Sequence, residues 1–183
     1  MQSLLRLSWV LERICIYAAR IAAILLLVLM CVIIYDVIGR RFYNTGSVAL
    51  QELEWHLHGT IALLGFGYTY TRNGHVRIDL VQQHFSANGK LWLEVIGIAV
   101  FLTPFLIATA YFGYDFTMRS FVRNEGSTGG LGLSHRWIIK SMVPVSAIVA
   151  LCGAWSVALN AIVVLTGSSR MTSPFKEASL WKP

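Results

Sequence analysis

Four long stretches without a charged side chain constrain this sequence more than any other feature. A transmembrane helix needs about 20 mostly apolar residues, and its lipid-exposed backbone must satisfy its hydrogen bonds within the helix. The sequence therefore predicts an all-α membrane protein with four transmembrane helices. The four stretches are Ile21–Tyr35, which continues past Asp36 to Gly39, Trp55–Thr71, Val95–Tyr114 and Ser141–Ser169.

The alternative of a soluble helical bundle fits the composition poorly. Of the 183 residues, 56% are hydrophobic and only 13% are charged. A soluble bundle would need polar helix faces, and Val95–Tyr114 and Ser141–Ser169 have almost none. The 3 cysteines form no closely spaced pair, so neither a disulfide framework nor a thiol–disulfide enzyme is indicated.

Residues 1–20 form a distinct N-terminal arm ahead of a transmembrane domain, residues 21–169, and a polar tail, residues 170–183. A cleaved signal peptide is the competing interpretation of the arm. Glu12, Arg13 and Arg20 interrupt the short apolar core that a signal peptide requires. The segment after Arg20 is also long enough to span a membrane, which favours an uncleaved arm.

The arm is amphipathic when it is read as a helix. Arg6, Arg13 and Arg20 recur every seven residues and share one stripe. Two interpretations stay open: an amphipathic helix lying in the headgroup layer, or an extension of the first span with snorkelling arginines. The apolar side chains on a different face are Leu4, Leu7, Leu11, Ile14 and Ala18.

Basic residues predict the orientation of the four helices. With four spans both termini lie on one side, and the positive charges on that side outnumber those on the other by nine to six. This favours cytoplasmic termini, and the net charge of +6 fits contact with anionic lipid rather than nucleic acid. The nine are Arg6, Arg13, Arg20, Arg72, Arg77, Lys90, Arg170, Lys176 and Lys182, and the six are Arg40, Arg41, Arg119, Arg123, Arg136 and Lys140.

A charge cluster flanks the first loop, where Asn44–Ser47 predicts a turn followed by a helix start. Asp36 and Arg40 are four residues apart and can pair along one helix. Because the loop is tight, Arg40 or Arg41 could reach Glu52 or Glu54. The cluster either fixes helix register and depth or forms a docking surface for a membrane partner. Its members are Asp36, Arg40, Arg41, Glu52 and Glu54.

The other two loops carry further candidate sites. Asn73-Gly74 marks a turn that leads into a motif made of His75, Arg77 and Asp79. The third loop, Asp115–Trp137, is rich in glycine but has neither the preceding strand nor the Lys-Ser/Thr of a phosphate loop. We interpret it as a flexible outward loop that meets a partner. Its candidate partner-facing residues are Arg119, Arg123, Glu125, His135 and Arg136.

No catalytic or metal site can be assembled from the sequence. His56 and His58 are two residues apart and face different sides of a helix, and no matching Glu-x-x-His set lies on another helix. No nucleophile has a partnered base, so we expect neither an enzyme nor a cofactor. The ionisable groups lie near predicted helix ends, whereas a transport site lies at mid-membrane. The pattern favours a supporting subunit.

Several motifs together resemble the small membrane subunit, the DctQ-like family, of tripartite ATP-independent periplasmic (TRAP) transporters. The resemblance extends over nearly the whole chain. It implies a bacterial inner-membrane complex in which a periplasmic binding protein captures an organic acid and a large membrane subunit moves it with sodium. The small subunit would brace the large one. The motifs are Arg40-Arg41-Phe42, Gln51–His56, Gly74–Leu80, Trp137 and Pro144.

Two other functions remain as alternatives at this stage. A membrane redox subunit would carry haem between histidines of neighbouring spans, but His75, His84 and His135 fall in loops. A small autonomous exporter would act as an oligomer. The resemblance ranks both below the TRAP small subunit.

Overall fold

A computed structural model describes residues 2–74, 85–127 and 130–167 of the chain. The described residues form a helical bundle with α1 (Gln2–Tyr43), α2 (Val48–Thr71), α3 (Ala87–Ile96), a π-helical segment (Gly97–Leu102), α4 (Thr103–Val122) and α5 (Trp137–Leu165). No strand occurs among these residues, so the predicted all-α fold is confirmed. The loop motif of His75, Arg77 and Asp79, and the tail from residue 170, lie outside the described residues.

Three continuous helical stretches are long and apolar enough to cross a membrane: Gln2–Tyr43, Asn88–Val122 and Trp137–Leu165. The predicted second span is also a helix, because α2 has 24 residues and lies against both α1 and α5. Its two histidines and two glutamates make it less apolar than the other three. That α2 crosses the bilayer therefore stays a prediction, which its packing within the bundle supports.

The N-terminal arm is helical and continues into the first span without a break, since α1 contains 42 residues. One helix therefore joins the arm to the first span, and the position of the arm relative to the headgroup layer stays a prediction. The boundary predicted at residue 20 lies inside α1. Buried residues on α1 recur at a seven-residue spacing, which gives one straight seam that faces the bundle. Five of the six buried residues have this spacing, namely Ser8, Cys15, Ala22, Leu29 and Asp36, and the sixth is Ala18.

Helix ends follow local chemistry. The side chain of Ser47 accepts a hydrogen bond from the Leu50 amide and caps α2, as the predicted turn requires. Three asparagines that follow helix ends adopt the left-handed backbone conformation themselves. They are Asn44, Asn73 and Asn124, with φ of 49°, 54° and 46°.

The predicted start of the third loop at Asp115 is wrong, because α4 continues to Val122. Its last turns carry the ion pair Asp115–Arg119, at 2.7 Å and with four-residue spacing. Such a pair stabilises an exposed helix end, so charged residues there did not mark a loop.

The α5 helix is the centre of the bundle and contacts α1, α2, α3 and α4. Its buried residues are mostly small, which lets neighbouring backbones approach closely. At the α2–α5 crossing, a Cβ on Gly67 would lie 2.6 Å from the Val149 carbonyl oxygen, and a Cβ on Gly153 would lie 2.5 Å from the Gly67 carbonyl oxygen. These two glycines therefore set the distance between the helices.

Candidate functional site: a carboxylate clasp at the loop end

The end of the bundle formed by residues 36–54 and 119–140, here called the loop end, holds most of the predicted charge cluster. Glu52 lies in the second turn of α2 and binds the connection between α4 and α5. Its carboxylate accepts hydrogen bonds from the Ser127 hydroxyl and, at 2.8 Å, from the Leu133 amide. We call this set, Glu52 with Ser127 and Leu133, the Glu52 clasp.

Backbone bonds complete the clasp. The Ser127 amide donates to the Leu133 carbonyl oxygen at 3.1 Å, and the Arg136 amide donates to the Glu125 carbonyl oxygen at 3.0 Å. A Cβ at position 132 would overlap the Glu52 carboxylate and the Ser127 hydroxyl, so any other residue there would displace these two side chains. The described part of the third loop is therefore folded against α2, which differs from the flexible loop that the sequence predicted.

A second carboxylate fastens the same connection to α5. Glu125 forms an ion pair with Lys140, whose ammonium group also lies 4.1 Å from the centre of the Phe116 ring. The Lys140 side chain is only 16% exposed, so protein rather than water surrounds much of the pair. Glu125 thus links the end of α4 to the start of α5.

Electrostatics favour the charged forms of both glutamates. The hydrogen bond from Ser127 lowers the pKa of Glu52, and the Leu133 amide and the positive charge of Arg136 lower it further. The hydrogen bond from Lys140 is the main cause that lowers the pKa of Glu125. Both side chains are therefore ionised acceptors at neutral pH.

The predicted Asp36–Arg40 pair is present on α1. Asp36 is buried at 1% exposure, and one of its two carboxylate oxygens has no hydrogen-bond partner. The expected contact from Arg40 or Arg41 to Glu52 or Glu54 is absent among the ion pairs that the structure describes. Arg40 pairs with Asp36 instead, and Glu52 bonds to the third loop.

The predicted partner-facing residues fall into two groups. Arg119 and Glu125 are paired within the chain. Arg123 and His135 are exposed, and His135 has a left-handed backbone with φ of 65°. Arg136 is half-buried beside Glu52. Of these five predicted residues, Arg123 and His135 are therefore the two that are exposed and have no ion pair in the described part of the chain.

A mostly apolar cavity of about 350 Å³ lies beneath the clasp, between α1, α2 and α5. His56 lines it, and its Nδ1 atom is buried without a hydrogen-bond partner. His58 is exposed and does not line this cavity.

Within the described ranges no three His, Cys, Asp or Glu side chains lie close enough together to hold a metal ion. The arrangement can anchor a loop and present charge, and it holds no assembled reaction centre among these residues.

The opposite end of the bundle, formed by residues 2–20, 68–74 and 156–165 and here called the N-terminal end, has a buried polar contact that sequence reasoning missed. Ser8 on α1 donates to the side-chain oxygen of Asn160 at 2.7 Å, and the Ser156 hydroxyl donates to the Ser8 carbonyl oxygen at 3.0 Å. Ser8 is only 2% exposed. The one available signal was Ser156 and Asn160 at four-residue spacing in an apolar stretch.

Comparison with known proteins agrees with this architecture. No curated protein matched the chain. The family model described as "Tripartite ATP-independent periplasmic transporters, DctQ component" matches residues 29–166. The match covers the loop-end clasp, α2, α4 and α5, and it begins within α1. The chain belongs to the DctQ-component family and is the small membrane subunit of a TRAP transporter.

Proposed function

We propose that this chain is the non-transporting scaffold subunit of a sodium-coupled TRAP transporter that imports an organic acid across a bacterial inner membrane. It would act with a large membrane subunit and a periplasmic binding protein. Family membership supports the complex. The sodium coupling, the organic acid and the two partners are part of the proposal.

The observation that carries the scaffold role is the packing of the bundle centre. Where α2 and α5 cross, Gly67 and Gly153 bring the two backbones into contact and leave no passage between them. Three polar side chains farther toward the N-terminal end, those of Ser8, Ser156 and Asn160, bond to one another. A transport site needs polar groups around a hydrated space near mid-membrane, whereas the α2–α5 crossing brings two glycine backbones into close contact.

Orientation follows from charge. Because positive residues are more numerous on the side of the termini, we place both termini in the cytoplasm. The loop end then faces the periplasm. Arg123 and His135, which are exposed beside the Glu52 clasp, would approach the binding protein there.

Reconstitution tests the scaffold role. Proteoliposomes are prepared with the large subunit, the binding protein and a sodium gradient, with or without this chain, and organic-acid uptake is measured. We expect uptake only when this chain is present, and none from this chain alone. Equal uptake without it, together with failure of the two membrane subunits to copurify, would exclude the scaffold role. Uptake by this chain alone would favour the autonomous exporter.

Charge variants test the docking role of the loop end. Arg41 is exposed and Glu54 is half-buried, and neither is in the Glu52 clasp. We expect Arg41→Gln and Glu54→Gln to reduce copurification of the large subunit while substrate preference is unchanged. Arg6→Gln, which makes the same charge change as Arg41→Gln at the opposite end, is the control. A changed substrate preference with intact copurification would contradict this assignment.

A further inference from the structure

A charged cleft lies between α1 and the last turn of α2, at the N-terminal end and far from the Glu52 clasp. Its volume is about 590 Å³. The α1 residues that line it recur every three or four positions and so form one face over four turns. The lining residues are Trp9, Glu12, Arg13, Ile16, Ala19, Arg20 and Ala23 from α1, with Tyr68 and Arg72 from the end of α2.

Positive charge dominates this cleft. Three arginines, Arg13, Arg20 and Arg72, face a single carboxylate, that of Glu12. Glu12 pairs with Arg72 at 3.6 Å. Among the residues that the structure describes, Arg13 and Arg20 have no carboxylate partner. The cleft therefore holds two cationic groups whose charge no carboxylate of the described residues neutralises.

Each of the three guanidinium groups lies over an aromatic ring. Arg13 lies 4.7 Å from the centre of the Trp9 ring, and Arg20 lies 5.6 Å from that of Tyr17. Arg72 lies 5.3 Å from that of Tyr68. Stacking occupies the flat face of a guanidinium and leaves the N–H groups at its edge free to donate. Two parallel N–H donors match two oxygens of a phosphate, so the arginines are held ready for an anion of that shape.

The surroundings select a lipid as the source of that phosphate. Trp9 and Tyr17 are 56% and 57% exposed, as is usual for aromatic residues at headgroup level. Ala19 and Ala23 leave open space along α1. Beyond them Ile24 and Leu27 are 63% and 61% exposed and continue the same helix toward mid-membrane. An acyl chain can lie on this apolar surface while its headgroup reaches the arginines.

We propose that this cleft is a binding site for an anionic phospholipid of the leaflet on the N-terminal side. Arg13 and Arg20 donate to oxygens of the anionic headgroup, Arg72 and Glu12 form the opposite wall, and one acyl chain lies along Ala19, Ala23 and Ile24. The site would fix the depth and tilt of the long α1 helix in the bilayer. It depends on the membrane location of the chain and not on which solute the transporter carries.

Lipid retention by the purified full chain tests this site. The protein is placed in nanodiscs of equal parts phosphatidylglycerol and phosphatidylcholine, extracted in mild detergent, and examined by native mass spectrometry. We expect the wild-type chain to retain phosphatidylglycerol in preference to phosphatidylcholine. Arg13→Gln combined with Arg20→Gln should lower that retention roughly tenfold or more, since each arginine near an anionic headgroup contributes to binding.

A matched control separates the site from general surface charge. Arg6→Gln combined with Arg41→Gln removes the same charge from the same helix but leaves the cleft intact, and it should retain lipid like the wild type. Ala19→Leu fills the cleft without a charge change and should also reduce retention, which keeps the test decisive if the double arginine variant fails to fold.

Three outcomes would overturn the proposal. Equal losses in the cleft and control variants would mean that surface charge alone attracts the lipid. Equal retention of phosphatidylcholine would exclude selection of an anionic headgroup. Release of phosphatidylglycerol by excess inorganic phosphate would assign the cleft to a soluble anion. Because no other subunit is present, these outcomes do not bear on the scaffold role.

Discussion

The two ends of the bundle hold their polar side chains by different means. At the loop end, the carboxylates of Glu52 and Glu125 fasten one connection to α2 and α5. At the N-terminal end, the buried contact between α1 and α5 uses neutral hydroxyl and amide groups, with Ser8 at its centre. The arginines of that end stack on rings at its surface instead.

The difference reflects how deeply each contact lies. An ionised carboxylate is stable only where water or several hydrogen-bond donors surround it. The Glu52 clasp involves a surface loop, where solvent is near and the loop supplies hydrogen-bond donors. Ser8 is enclosed between two helices, where a neutral hydroxyl costs far less to bury than an ion. Charge therefore closes the loop, whereas hydroxyl groups align the helices.

The largest expected effect comes from the crossing that connects the two ends. Gly67→Ala places a Cβ 2.6 Å from a backbone oxygen of α5, so the helices must separate. We expect the free energy of unfolding to fall by about 1–3 kcal/mol. Gly65→Ala is the control, because a Cβ there meets nothing within 4 Å. Thermal unfolding in detergent measures both.

Equal melting temperatures for these two alanine variants would show that the crossing does not limit stability. A lower melting temperature for Gly67→Ala alone would confirm that close backbone contact unites the two ends.

The next effect belongs to the N-terminal end. Ser8→Ala removes the buried hydroxyl and leaves Asn160 without its partner, so we expect a loss of roughly 1–2 kcal/mol in stability. Ser3→Ala changes the same residue type on an exposed part of the same helix and should be neutral. If both substitutions were neutral, the arm would not depend on this contact for its position.

Much of the fold could be predicted because its determinants are local. The uncharged stretches became helices, the Asn44–Ser47 turn is present, and Asp36 pairs with Arg40 four residues away. Each of these features depends on neighbours within a few residues. Sequence alone is sufficient for such arrangements.

The rest could not be predicted because the partners are far apart in sequence. Ser8 and Ser156 are separated by 148 positions, and Glu52 and Ser127 by 75. Proximity along the chain made Arg41 a plausible partner for Glu52. In the structure, residues of the folded third loop donate hydrogen bonds to Glu52 instead. Loop partners depend on packing that spacing does not reveal.

A smaller, local effect is expected for Glu52→Gln. A neutral amide still accepts a hydrogen bond but loses the charge that strengthens it. Hydrogen exchange at the Leu133 amide should speed up, while the melting temperature changes little. Glu54→Gln, two residues away, is the control and should leave Leu133 protected. Unchanged exchange at Leu133 in the Glu52 variant would contradict the Glu52 clasp.

Lowering the pH should produce the smallest effect, and it should affect the loop end without affecting the N-terminal end. The folded pKa values of Glu52 and Glu125 lie below the ordinary carboxyl value of 4.5. The stabilisation they supply is therefore complete above that value and is lost as the pH falls through their folded values. Protection against hydrogen exchange, taken relative to the intrinsic rate at each pH, should fall first at Leu133 and Arg136 as the pH drops below 4.5. Protection around Ser8 should stay constant, because serine and asparagine do not titrate. Simultaneous opening of both ends would mean that one cooperative unit, rather than two separate polar contacts, responds to acid.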